Sequence, residues 1–253
     1  DKLEVGMDWW HAFELSWLNI QGISQVAMAR FSVPATSLNI VESKSLKLYV
    51  NSINFTEFAS WEEVQALIAK DLSTCVQVEV KVELLDLEDN QSELLITRPK
   101  GICIDNALAD SSEKIVLTSH PDASLLSIMQ DNGIDTVINT EQKVNQPFKF
   151  YSNLLRSNCP VTNQPDWGTL AVEMTSTFKI DEASMLRYIL SFRQHNGFHE
   201  QCVEQIFADL SQCYQPSKLM VRAWYTRRGG IDINPCRVSD LSLLPKPSRL
   251  IRQ

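Results

Sequence analysis

Ser157-Asn158-Cys159-Pro160-Val161-Thr162-Asn163-Gln164-Pro165-Asp166-Trp167-Gly168 is a polar stretch with two prolines, set between two segments of strand-like alternation. Its cysteine lies off any apolar stripe, and the aspartate seven positions later is wedged between Pro165 and Trp167. A thiolate is a strong nucleophile, but a free thiol titrates near pH ~8.5, so Cys159 needs a cationic partner or a base to react at neutral pH. An aspartate flanked by apolar rings is desolvated, and burial favours the protonated form that can hand a proton to a substrate. Together the two suit covalent catalysis with proton delivery. The plainer alternative is a long hairpin connection made of turn formers.

His199-Glu200 opens a helical pattern, where a carboxylate complements the positive end of the helix dipole and an imidazole is expected to be neutral. His195 lies four residues earlier, but Asn196-Gly197 breaks the helix between them, so no metal-ligand pair is expected. Val41-Glu42-Ser43-Lys44 puts charge just before an apolar run, which by itself passes for a solvated helix start. Thr226-Arg227-Arg228-Gly229-Gly230 ends a strand with two guanidinium groups and a flexible turn, a pattern that lets backbone and arginine approach a phosphate. Neither GxGxxG nor GxxxxGK[ST] occurs, so a Rossmann pocket and a P-loop are both unsupported.

Several elements must position these groups. Ser60-Trp61-Glu62-Glu63 reads as a capping box in which Ser60 and Glu63 satisfy each other's orphan amides. The Trp61, Val64, Leu67, Ile68, Leu72 spacing predicts a helix to about Thr74, with Cys75 closing its buried stripe. Asp181 is the cap of a second helix, and a third spans about His199 to Cys213, with Cys202 and Cys213 as small buried hydrophobes. Alternation predicts strands at Phe13–Trp17, at 23–33, from Val76 to Leu84, at 147–157, 168–178, 217–228 and 230–235. One polar and one apolar face is what an antiparallel sheet with a single covered side requires. Both halves thus read as hairpin, two helices, hairpin, and imply an internal duplication joined by a polar connector at about 105–146.

The 253 residues suffice for one large domain or two small ones, and 44% hydrophobic with 21% charged residues is ordinary globular composition. A net charge of −8 argues against a grip on a long phosphate backbone, though not against a local basic pocket. No apolar run approaches the ~18 residues of a membrane-spanning helix, and residues 1–19 lack a charged-then-apolar secretion pattern. The six cysteines show no zinc-ribbon or redox CxxC spacing, so free thiols in a cytoplasmic protein are expected.

The segments FELSWLN (13–19), ESKSLKLYVNSIN (42–54), SNCPVTNQPDWG (157–168), SFRQHNGFHEQCVE (191–204) and YTRRGGIDINP (225–235) together resemble the NADPH-dependent 7-cyano-7-deazaguanine reductases, the nitrile reductases of queuosine biosynthesis, in their long two-module form. Ile53 departs from the aromatic more usual there. The resemblance implies an α+β protein of two tandem tunnelling-fold modules (1–104 and 147–253, with the 105–146 connector), each an antiparallel four-stranded sheet with two helices on one face. It implies Cys159 as the nucleophile that forms a thioimide, Asp166 as the acid/base and His199 as an aid to orientation and proton transfer. Val41, Glu42, Ser43, His199 and Glu200 would bind the 7-cyano-7-deazaguanine, and Ser43, Lys44, Arg228 and Gly229 the NADPH. No metal, direct nucleic-acid or membrane partner is implied, and a homodimer that covers bare sheet edges is expected. The rival classes are a cysteine-dependent nitrile or amide hydrolase, a non-catalytic purine- or pterin-binding module, and a zinc cyclohydrolase, which lacks a convincing ligand set.

Overall fold

Trp10, Ala12, Leu15 and Trp17 are all buried although the step from 12 to 15 breaks a strict alternation. The break is a bulge: the ladder to the next strand shifts register between Ala12 and Leu15. Phe13 and Glu14 together oppose the single residue Met28, one residue more than a regular ladder holds, so Phe13 is only half-buried and does not share the apolar face with Leu15 and Trp17, as strict alternation predicts.

The computed structural model describes residues 5–89, 93, 95–128 and 146–253. In chain order it contains β1 (Gly6–Asn19), β2 (Ser24–Pro34), α1 (Ser43–Ser52), β3 (Glu57–Phe58), α2 (Trp61–Val76), β4 (Lys81–Leu85) and β5 (Ile96–Thr97). There follow β6 (Ile102–Cys103), β7 (Gln146–Asn158), β8 (Pro165–Ser176), α3 (Glu182–Leu190), α4 (His199–Tyr214), β9 (Lys218–Tyr225), β10 (Ile231–Val238) and β11 (Arg249–Leu250). This is a mixed α+β chain with mainly antiparallel pairing and four α-helices among the described residues. None of its helices is long and apolar enough to cross a membrane.

The chain divides into two compact units. The first holds residues 1–98 with 224–235 and 245–253; the second holds 99–223 and 236–244, so the described part of the 105–146 connector belongs to it. Residues 129–145 of that connector lie outside the described residues.

In the first unit the strand order is β4-β2-β1-β10, with β3 parallel to β1 and β11 parallel to β5. The inner face of this sheet packs against Leu46 and Val50 of α1 and Val64, Ile68, Leu72 and Val76 of α2. The i, i+4 spacing of that last set keeps α2 helical to Val76, and Gln77 ends it with φ +59°. The strand predicted from Val76 therefore starts only at Lys81. Cys75, one position off the stripe, is exposed rather than buried. At the other end Ser60 Oγ accepts from the Glu63 amide, but the Glu63 carboxylate reaches past Ser60 to accept from Ala59 N–H, 2.8 Å away.

In the second unit β6, β7, β8, β9 and the end of β10 lie side by side. Asp181 caps α3 by accepting from the Ala183 and Ser184 amides. Cys202 is buried in α4 as expected, whereas Cys213 is half-buried. Seven of the eight residues of β9 are buried, so both of its faces are covered and not one, as the polar alternation suggested. β7 also carries a bulge, between Ser152 and Leu155. Asp105 holds it in place, because its carboxylate accepts from Ser152 Oγ at 2.7 Å, Asn153 N at 3.0 Å and Asn153 Nδ2 at 3.0 Å. Asp105→Ala should therefore lower stability by about 1–3 kcal/mol; an unchanged urea midpoint would show that the bulge holds itself.

Candidate active site

Cys159 follows the last residue of β7, and Asp166 is the second residue of β8. The connection between them closes on itself: Cys159 N–H donates to Gln164 O and Cys159 O accepts from Asn163 N–H, both at 2.9 Å. Asn163 takes a left-handed conformation with φ +54°, which asparagine tolerates better than most side chains. The ladder sets Ser157 opposite Asp166 and Asn158 opposite Pro165, so the cysteine loop and the aspartate emerge from neighbouring strand ends. Cys159 is 7% exposed and Asp166 6%.

A second tie brings in α4. Asn158 N–H donates to His195 O at 2.7 Å, and Gly197 N–H donates to Asn158 O at 3.1 Å. This short parallel bridge fixes where α4 begins, two residues later, with His199 and Glu200 in its first turn. His199 Nε2 comes within 3.6 Å of Asp166 Oδ1. That is ion-pair reach but longer than a formed hydrogen bond. Glu200 is buried at the positive end of the helix, where a carboxylate is favoured. Burial, and then the neighbouring His120, push His195 below the usual imidazole range, so it is neutral at pH 7.

The remaining predicted residues sit in the first unit. Glu42 is the N-cap of α1, and its carboxylate accepts from Lys44 N at 2.9 Å, Ser45 N at 2.8 Å and Ser45 Oγ at 3.0 Å. Partial burial pushes this carboxyl up, but those hydrogen bonds and the Lys44 charge outweigh it and hold the group below the usual carboxylate range. Val41 and Ser43 flank the cap and are half-buried, and Lys44 is exposed. Arg228 and Ile231 exchange main-chain hydrogen bonds across Gly229 and Gly230, whose φ values of +61° and +77° make a tight two-glycine hairpin turn. A Cβ on Gly229 would meet nothing closer than Lys47 Cγ at 3.9 Å, whereas one on Gly230 would strike the Glu14 carboxyl at 2.6 Å. The second residue of the turn must be glycine, while the first leaves open space. Since Lys47 belongs to α1, the structure brings the helix carrying Ser43 and Lys44 beside the Arg228-Gly229 turn.

Sequence reasoning missed several groups around these clusters. Ser157 Oγ, directly across the ladder from Asp166, is buried without a hydrogen-bond partner. Arg156 and Arg193 place their guanidinium groups 5.3 and 5.8 Å from the Trp167 ring beside the cysteine loop. In the first unit Arg227 stacks at 3.8 Å on Phe13. Ser157 heads the cysteine stretch, Arg227 lies in the two-arginine turn and Arg193 in the SFRQHNG run, whereas Arg156 carried no sequence signal. A cavity of about 450 Å³, lined by residues such as Phe148, Lys149, Lys179 and Asp181, contains none of the predicted site residues, so concavity alone does not mark the site.

Fold and clusters define a mixed α+β protein with a buried cysteine, a carboxylate and an imidazole at one strand-and-helix junction. Residues 3–84 match the family described as nitrile reductase, 7-cyano-7-deazaguanine-reductase N-term, and residues 165–241 match QueF-like protein. The chain is 76% identical to the NADPH-dependent 7-cyano-7-deazaguanine reductase of Psychrobacter cryohalolentis, over all of this chain and 86% of that protein. It is 54% identical to the protein of the same name from Acinetobacter baylyi and 53% identical to one from Acinetobacter baumannii, with the same coverage. The chain belongs to the family of NADPH-dependent 7-cyano-7-deazaguanine reductases.

Gly197 is the tightest point of the cysteine-side cluster, because a Cβ there would lie 2.7 Å from His195 Nε2. Gly197→Ala should cost about 1–3 kcal/mol by overpacking, and His195→Ala in the same chain should recover most of that loss. If thermal denaturation shows the two changes to be additive, the ring is not what limits the space.

Proposed function

We propose that the protein reduces the nitrile of 7-cyano-7-deazaguanine to an aminomethyl group with two equivalents of NADPH, through a covalent thioimide on Cys159. The observation that supports the reading is the junction at which the residue after β7, the start of β8 and the start of α4 carry Cys159, Asp166 and His199. In the first step the Cys159 sulfur bonds the nitrile carbon, one C–N π bond breaks, and the nitrogen takes a proton from Asp166. The product is a neutral thioimide. NADPH supplies hydride, first to the thioimide carbon and then to the imine left when the C–S bond breaks and Cys159 departs as thiolate. Two hydrides and two protons thus convert the nitrile into the primary amine. His199, 3.6 Å from the Asp166 carboxyl, is placed to return a proton to it between steps.

Recognition of the heterocycle follows from its chemistry. A guanine-like edge presents ring and exocyclic N–H donors, which call for carboxylate acceptors, and Glu200 and Glu42 are assigned to them, with Val41, Ser43 and His199 lining the substrate. A charged contact of this type contributes about 1.5–3 kcal/mol. Ser43, Lys44, Arg228 and Gly229 are assigned to NADPH. The open side of Gly229, the exposed Lys44 and the neighbourhood of α1 and the turn suit a phosphate-bearing ligand.

We read the two-helix, antiparallel arrangement of each half as a tunnelling-fold module, with 1–104 and 147–253 as the duplicated pieces and 105–146 as connector. A cytoplasmic homodimer fits this reading, since β4 is paired on one side only among the described residues and bare edges tend to be covered.

Protein mixed with 7-cyano-7-deazaguanine and no nucleotide should gain the mass of one substrate, and Cys159→Ala should gain none. With NADPH added, an amine should appear as the nucleotide is oxidised; release of ammonia or a carboxylic acid would make the protein a hydrolase. Asp166→Asn should slow turnover about a hundredfold or more while leaving NADP⁺ affinity unchanged. Near-normal turnover would reduce Asp166 to a loop residue.

A further inference from the structure

The bulge at Phe13 and Glu14 turns two side chains of β1 toward the Arg228–Ile231 turn, where Phe13 N–H donates to Gly230 O at 2.9 Å. Two guanidinium groups lie against the Phe13 ring. Arg227 lies with its Cζ 3.8 Å from the ring centroid, and Arg249 lies 5.3 Å from it. Arg249 comes from β11 in the C-terminal segment, far from Arg227 in sequence, and the segment is firmly seated. β11 pairs with β5, Thr97 Oγ1 donates to Arg249 O at 3.1 Å, and Trp224 Nε1 donates to Ser248 O at 3.2 Å. The Gln253 side chain is buried between Tyr225 O, at 3.1 Å, and Asn234 Oδ1, at 2.6 Å.

Two like charges on one ring repel, and the surroundings do little to offset them. Among the described residues neither Arg227 nor Arg249 pairs with an Asp or Glu carboxylate; Arg249 Nη2 donates to Gln253 O at 3.0 Å, while its Nε is buried without a hydrogen-bond partner. The nearby carboxylate, Asp232, directs Oδ1 to His11 Nδ1 at 2.8 Å and Asn234 Nδ2 at 2.7 Å instead. Burial and then the Arg227 charge push Arg249 below the usual arginine range, with Asp232 pulling the other way. Glu14, the other bulge residue, is taken by Lys47. What remains is a rigidly mounted, half-open cationic pair on an aromatic ring, next to the turn that carries Arg228 and Gly229. Such a pair lacks only a compact anion with several acceptor oxygens, and the forked geometry of guanidinium matches a phosphate dianion.

We propose that Arg227 and Arg249, mounted on Phe13, bind the phosphate monoester of the nicotinamide cofactor, so that the C-terminal segment sets the preference for the phosphorylated over the unphosphorylated dinucleotide. The inference rests on the assignment of the cofactor to Ser43, Lys44, Arg228 and Gly229, and adds two residues and one strand to that site. A diphosphate has the same acceptor chemistry, but it is common to both dinucleotides and so predicts no preference.

Calorimetric titration of the purified protein with NADP⁺, NAD⁺, 2′-AMP and 5′-AMP separates these cases. The unaltered protein should prefer NADP⁺ to NAD⁺ and 2′-AMP to 5′-AMP. Arg249→Gln should weaken NADP⁺ and 2′-AMP about ten- to a hundredfold and leave NAD⁺ and 5′-AMP nearly unchanged. Arg227→Gln, at an exposed position, should do the same even if Arg249→Gln proves unstable. Equal losses for both dinucleotides would move the pair to the shared diphosphate and overturn the proposal, as would unchanged binding of all four ligands. A protein that binds NADP⁺ selectively with either arginine removed would sink this inference alone, whereas one that binds no dinucleotide at all would sink the cofactor assignment with it.

Discussion

The main-chain exchange between Asn158 and the His195–Gly197 segment determines where the reactive groups stand. Its two hydrogen bonds, 2.7 and 3.1 Å long, join the end of β7 to the approach of α4 without using a side chain. Cys159 is the next residue on one side of that tie, and His199 follows two residues after it on the other. The ladder then sets Asp166 across from Ser157, one residue before the tied Asn158. Three groups from separate parts of the chain are thus positioned through backbone, whose hydrogen-bonding groups are obligatory and resist substitution better than a side-chain network. The remaining adjustment is local, in the loose 3.6 Å approach of His199 to Asp166.

The same device recurs in the first unit with a different result. β1 and β7 each open an antiparallel hairpin, and each carries a bulge part-way along. In β7 the bulge is braced by the Asp105 carboxylate, to which Ser152 Oγ and Asn153 N–H donate. In β1 it points Phe13 and Glu14 at the two-glycine turn, where Glu14 fills the space that a Gly230 side chain would need. Bulges that reorient side chains beside functional sites are a common use of the irregularity.

Much of this was legible in the residues. Ser60 and Asp181 announce their helices because a short polar side chain before an apolar stripe has few other uses, and the two-glycine turn and the paired prolines of the cysteine loop follow from backbone sterics. The errors share one cause, which is competition between periods. Val76, Val78, Val80 and Val82 satisfy a strand alternation, yet Val76 also completes the i, i+4 stripe of α2, and burial against the sheet settles it as helix. Phe13, Leu15 and Trp17 alternate in sequence but not in space, since a bulge adds one residue that no composition signals. Arg249 could not be placed at all, because a two-residue strand pairing with β5 leaves no periodic trace.

Glu42 shows how a carboxylate can be fixed by the helix that it caps. Its carboxylate is kept ionised by the amides and hydroxyl of its own helix start, which occupy three of its roughly four lone-pair directions. What it can still offer a heterocycle is a fixed negative charge and about one further hydrogen bond, rather than a fork of two. Its removal therefore acts twice, on the helix cap, worth about 0.5–2 kcal/mol, and on whatever it binds. Glu200, buried in the first turn of α4, has its charge favoured by the helix dipole instead.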